Sequence, residues 1–187
     1  GEGEGEGEGE GEGEGEGEGE GESADTLCTI TGASGSDYQC AIKVAAEGSS
    51  TKAVGLNFLI TYDNAAVTMA GVNCCCISGT YDSCAMDSTL ETGHTIVMKP
   101  EQNTGWSGSV GFVIYDGGGQ TAVSDATYNN GTISGEETIM NLSFTLNTDL
   151  SGGTNSAVTI TQLSATDATA QVLSATLMNG VIVTADP

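Results

Sequence analysis

The chain has 187 residues, 26 of them acidic against 3 basic, with no arginine, one histidine and a formal charge of −23. That balance argues against nucleic acid and against anionic membrane surfaces, both of which call for Lys/Arg patches, and the lack of arginine removes bidentate recognition of phosphate. No apolar run approaches the roughly 20 residues that cross a bilayer, so membrane insertion is not expected.

Residues 1–22 are eleven Gly-Glu pairs, which cannot bury a core. As an extended strand they would place every glutamate on one face and every glycine on the other. At about 3.3 Å per residue they would reach roughly 70 Å. The remaining chain has a radius of gyration of only about 15 Å, so the tail can reach a neighbouring molecule. An inter-subunit strand, a flexible linker, and an engineered or placeholder stretch are all compatible with such regularity. Removing these 11 glutamates from the 26 acids leaves 15 against 3 lysines, a net charge of −12 on residues 23–187. That length fits one domain.

From Ser23 onward the dominant period is two, which signals strands with one buried face. Strands are expected near 26–31, 38–46, 53–62, 66–71, 94–98, 109–115, 138–147, 157–163, 171–178 and 181–184. Cys40, Ile42 and Val44 share one face of the second, and Leu56, Phe58 and Ile60 one face of the third. Val110, Phe112 and Ile114 line the sixth; Met140, Leu142 and Phe144 line the seventh. Asn179-Gly180 separates the last two and marks a primed two-residue turn. The spacing predicts an all-β fold, a nine- to ten-stranded antiparallel β-sandwich of jelly-roll or immunoglobulin-like type. With Phe 3 and Trp 1, the core is expected to be thin and to depend on cross-links.

The run AVGLNFLITYDNAAVTMAGV (53–72) resembles the cohesin pattern, in which an alternating strand ends in Tyr-Asp and a second strand follows closely. GSVGFVIYDGGGQ (108–120), GTISGEETIMNLSFTLN (131–147) and LMNGVIVTA (177–185) are similar to the later cohesin strands, in order. The likeness covers nearly all of 25–185. It implies a nine-stranded jelly-roll-like sandwich and non-enzymatic protein binding, with a dockerin-type ligand as one possible partner. The insertion at 73–93, with four cysteines, departs from the cohesin pattern.

Signs of catalysis are weak, and no catalytic residue or cofactor is expected. His94 is the lone histidine and falls in a strand. Asp63 and Asp116 each follow a tyrosine at a strand end. They read as turn caps and as weak calcium candidates, since oxygen ligands suit a hard cation. Trp106 is the single tryptophan, too few for a sugar platform, and Gly117-Gly118-Gly119 is a loop with no helix behind it.

Six cysteines point to an oxidising compartment, and the chain reads as a mature extracellular or cell-surface product; a cytosolic protein with free thiols is the alternative. If Cys28 and Cys40 paired locally, Cys84 could take only one of Cys74, Cys75 and Cys76. The two left over would have to bond each other against the usual disulfide geometry. Complete unstrained oxidation within one chain therefore predicts that the triplet pairs with Cys28, Cys40 and Cys84. Zinc is a rival that suits three consecutive cysteines poorly. Asn130 and Asn141 begin N-glycosylation sequons. The functional expectation is a structural subunit of a fibre or surface assembly, joined to copies of itself through the N-terminal segment. The alternative is a monomeric receptor module for a protein ligand.

Overall fold

Period-two patterning builds the molecule almost without exception. The computed structural model describes residues 25–73, 94–100, 108–118, 121–135 and 138–187. The Gly-Glu tail, Cys74, Cys75, Cys76, Cys84, Trp106 and Gly119 lie outside them. The strands are β1 (Asp25–Ile30), β2 (Asp37–Glu47), β3 (Gly55–Tyr62), β4 (Val67–Asn73), β5 (His94–Pro100), β6 (Ser109–Asp116), β7 (Thr127–Asn129), β8 (Thr132–Ser134), β9 (Thr138–Leu146), β10 (Ser156–Thr166), β11 (Val172–Met178) and β12 (Val181–Ala185). Each of the ten expected strands is present. The short β7–β8 hairpin adds to them, turning at Asn130-Gly131 with φ of 46° and 88°. Asn179-Gly180 turns between β11 and β12 with φ of 53° and 77°, as a primed turn requires.

The hydrogen-bonded order is β4-β9-β2-β12-β11-β10-β3-β6-β5, with β1 added to β10 and β7 to β2. β11 pairs with β12 along one part and with β10 at its start, so it carries the chain from one layer of the sandwich to the other. One layer is β4-β9-β2-β12 and the other β10-β3-β6-β5. The expected antiparallel arrangement is not complete. β12 and β7 both run parallel to β2, because the hairpin from β11 sends the last strand back in the direction of β2.

Side chains of alternate positions meet between the layers. Phe58, Phe112 and Phe144 are all fully buried, with Phe58 stacked on Phe112 at a centroid distance of 5.1 Å. Tyr62 of β3 meets Phe144 of β9 edge-on at 5.3 Å, joining the layers. A second, smaller cluster lies on the outer side of the β2/β12 layer. There Ala126 and Tyr128, with Ile133 beside them, cover Ala45, Val181 and Val183. Among the described residues no helix is long and apolar enough to cross a membrane.

The disulfide expectation is corrected. Cys28 is bonded to Cys40, with Cα atoms 6.1 Å apart, inside the usual range. β1 belongs to the layer of β10 and β2 to the layer of β9, so the short turn between them brings the two sulfurs together across the core. A register shift between Thr26 and Cys28 departs from strict alternation, burying Leu27 and leaving Cys28 half-buried against Cys40. The triplet consequently can take neither Cys28 nor Cys40. What fails is the premise that all six cysteines find unstrained partners within one chain.

Candidate functional site

The outer surface of the β10-β3-β6-β5 layer is the region most unlike the rest of this acidic chain. Asn57, Leu59 and Thr61 of β3 alternate with buried Leu56, Phe58 and Ile60 and so face outward. Gly111, Val113 and Tyr115 of β6 do the same, beside Thr159 and Thr161 of β10. Every outward side chain described on β3, β6 and β10 is uncharged. Val113 is 41% and Tyr115 42% exposed, two of only four large apolar side chains open to solvent among the described residues.

Local packing holds this surface in shape. The register sets Asn57 opposite Val113, Thr61 opposite Ser109 and Thr61 opposite Thr159 on its other side. The hydroxyls of Thr61 and Thr159 are hydrogen-bonded at 2.5 Å, which fixes both rotamers across the strand pair. Beside Tyr115 lies a shallow depression of about 170 Å³, lined by Gly55, Asn57, Val113, Tyr115, Ser164 and Thr166. It owes its depth to Gly55, where a Cβ would come within 2.5 Å of the Thr166 hydroxyl. Across β3, β6 and β10, a surface whose described outward side chains are uncharged, with two exposed apolar side chains and one recess, is equipped for shape complementarity.

The residues singled out from the sequence lie elsewhere. Asp63 and Asp116 end β3 and β6, which are antiparallel, so they sit at opposite ends of the layer, roughly 25 Å apart by strand rise. They cannot act as one carboxylate pair. Each closes its own turn: Asp63 Oδ1 accepts from the Ala65 N–H at 2.9 Å, and Asp116 accepts from the Gly118 and Thr121 N–H groups, both at 2.8 Å. Among the described residues no three carboxylate, imidazole or thiol side chains gather where a metal could bind.

His94 lies opposite Asp116 in the β5–β6 ladder and is 9% exposed. Neither ring nitrogen makes a full hydrogen bond. Burial pushes its pKa down, against weaker opposing pulls from the Asp116 carboxylate and the Thr121 backbone. It is a neutral core histidine at one end of the sheet. Asn130 is exposed at the β7–β8 turn, whereas Asn141 lies half-buried in β9.

Sequence reasoning missed Val113 and Tyr115. The signal was present: Ser109–Asp116 is apolar on both faces at its C-terminal half, whereas a strand with one wet face should alternate. Attention to Val110, Phe112 and Ile114 concealed the apolar residues between them.

No protein-family model and no characterised protein sequence matches the chain. Solved structures do. One chain of the CaDoc0917–CaCohA2 complex is 18% identical, with a TM-score of 0.51 over 83% of this chain and 93% of its own. A chain of the type I cohesin–dockerin complex Coh-OlpC–Doc435 from Clostridium thermocellum is 14% identical, with a TM-score of 0.52 over 88% of this chain and 97% of its own.

Proposed function

Since the described residues form a β-sandwich with the fold of a cohesin, we propose that the chain is a non-catalytic, extracellular protein-binding module whose partner docks on the outer face of β10, β3 and β6. The observation that carries this reading is that the described outward side chains of β3, β6 and β10 are uncharged, with Val113 and Tyr115 exposed among them, in a chain whose formal charge is −23. Leaving such a face open to water has a use only if something covers it. The inter-sheet Cys28–Cys40 bond supports an oxidising location. The two structural relatives include a cohesin–dockerin complex, so a dockerin-type module is the first probe to try.

The test is titration calorimetry of the domain, and of a Val113→Asp/Tyr115→Asp variant, against a panel of dockerin-type modules. The reading expects saturable binding by the parent and at least about a hundredfold loss in the variant, whose fold stays intact. Binding that survives in the variant would move the site elsewhere.

A second reading is assembly of copies into a fibre through the N-terminal segment. Its support is the open edges of β4 and β5, each paired on one side only among the described residues. An extended segment from another copy could add to either. Deleting residues 1–22 should then abolish polymers seen by light scattering while leaving the domain's thermal transition unchanged.

A further inference from the structure

We propose that the folded domain offers Asn130 as an acceptor for N-linked glycan and withholds the second sequon at Asn141. The two triplets are equivalent as sequence. Their surroundings differ in three respects.

First, Asn130, Gly131 and Thr132 are all exposed. In the other triplet Asn141 and Ser143 are half-buried, and Leu142 between them is fully buried in the core. Second, Asn130 sits at the tip of a two-residue turn between three-residue strands, and β7 meets β2 at only Ala46 and Glu47. Asn141 lies mid-strand in β9, between Ala41 of β2 and Asn73 of β4. Opening the peripheral hairpin gives up only the packing of Tyr128 and Ile133 on the small outer cluster, whereas freeing a central strand approaches global unfolding. Third, the Asn130 side chain makes no hydrogen bond among the described residues and borders a cavity of about 660 Å³, lined in part by Glu47, Tyr128, Met178 and Asn179. That space can seat a proximal sugar, with the Glu47 carboxylate and the Asn179 amide as partners for its hydroxyls.

The donor is a lipid-pyrophosphate-linked oligosaccharide. The Asn130 amide nitrogen bonds to C1 of the first sugar as the C1–O bond to pyrophosphate breaks. The lipid pyrophosphate leaves with the bonding electrons, and the amide nitrogen gives up one proton. Nothing is oxidised or reduced.

The experiment incubates the folded, disulfide-bonded chain with a purified oligosaccharyltransferase and a lipid-pyrophosphate-linked oligosaccharide of defined mass. Intact mass and peptide mapping are followed with time. Expected is one glycan per chain, on Asn130, formed at least about tenfold faster than any on Asn141. Thr132→Ala, which removes the required hydroxyl without touching the positive-φ turn residues, should abolish it, and Asn141→Gln should change nothing. Reduced and denatured chain should be modified at both sites, which verifies that each is chemically competent. Modification of Asn141 at a comparable rate in the folded chain, or of neither site there, overturns the proposal.

Discussion

The two layers of the sandwich treat their outer faces differently. Outside β2 and β12, the apolar side chains of Ala45, Val181 and Val183 are roofed by the segment around Ala126 and Tyr128, and Val183 is 2% exposed. Outside β3 and β6, Val113 and Tyr115 have no such cover among the described residues and are 41% and 42% exposed. Both faces carry outward apolar residues in sequence. One face is closed by the chain itself, at the expense of a hairpin; among the described residues the other is not. Outward hydrophobicity in the sequence therefore does not by itself mean open apolar surface in the fold.

The sharpest way to break this comparison is to place the same charge on each face. Val183→Asp buries a carboxylate in the roofed cluster and should cost about 4 kcal/mol, lowering the melting temperature by roughly 10 °C or more. Val113→Asp puts the same group in water and should change stability by less than about 0.5 kcal/mol. Thermal denaturation of the two variants side by side decides the matter. If Val113→Asp is as destabilising as Val183→Asp, the open face is part of the core after all.

The next effect concerns what ties the layers to each other. Cys28–Cys40 closes a loop of sequence separation 12 and joins the layer of β1 to that of β2. The chain-entropy model gives about 3 kcal/mol for a loop of that size. The double variant Cys28→Ala/Cys40→Ala should melt roughly 10 °C lower in differential scanning calorimetry. An unchanged transition would mean that Tyr62 against Phe144 and the rest of the interlayer core hold the layers without it.

Much of this was legible in the sequence, for a definite physical reason. Alternation is a local property, so all ten strands with a clear inward face could be read, and Asn179-Gly180 announced its hairpin. β7 and β8 are three residues long, too short for alternation to register, although Asn130-Gly131 is the same turn signal seen a second time. Parallel pairing of β12 with β2 joins residues far apart in sequence, and nothing local reports it. The Cys28–Cys40 bond was the obvious local pairing, set aside through a count that required every cysteine to have a partner in the chain. The open face was half legible: Val113 and Tyr115 are outward and apolar on inspection, but only the fold shows that they stay exposed where Val181 and Val183 are roofed.

A smaller effect separates strain from contact at the two Asn-Gly turns. Gly180 has φ of 77°, and a Cβ there would lie 3.2 Å from the Leu27 carbonyl oxygen, whereas at Gly131, with φ of 88°, it would meet nothing. Gly131→Ala thus costs only the left-handed backbone penalty, about 1 kcal/mol, and Gly180→Ala costs that plus displacement of β1, about 2 kcal/mol in all. Urea denaturation of both variants measures the difference. Equal losses would show that β1 yields without resistance at this contact.

The smallest expected effect is a dependence on pH that belongs to one end of the open layer. His94 has its pKa held below the ordinary 6.5, chiefly by burial. Above pH 6.5 the imidazole is neutral in both folded and unfolded chains, and the domain has its full stability. As pH falls below 6.5 the unfolded chain takes up the proton first, so stability declines until the folded-state pKa is reached and then levels off. The exposed carboxylates Asp149, Asp167 and Asp186 behave in the opposite sense and in another window. Hydrogen bonds to neighbouring hydroxyl and backbone groups hold their pKa values below 3.8, so what they contribute is present above that value and lost only in stronger acid. The melting temperature should therefore drop modestly as pH falls below 6.5, level off once the folded chain is protonated as well, and drop again in the stronger acid where the carboxylates titrate. In His94→Phe, which keeps a buried ring but cannot take a proton, the first drop should vanish and the second remain. A first drop that persists in His94→Phe would assign it to a different group, and its absence from the parent would mean that Asp116, facing His94 across the ladder, accommodates the imidazolium as well as water does.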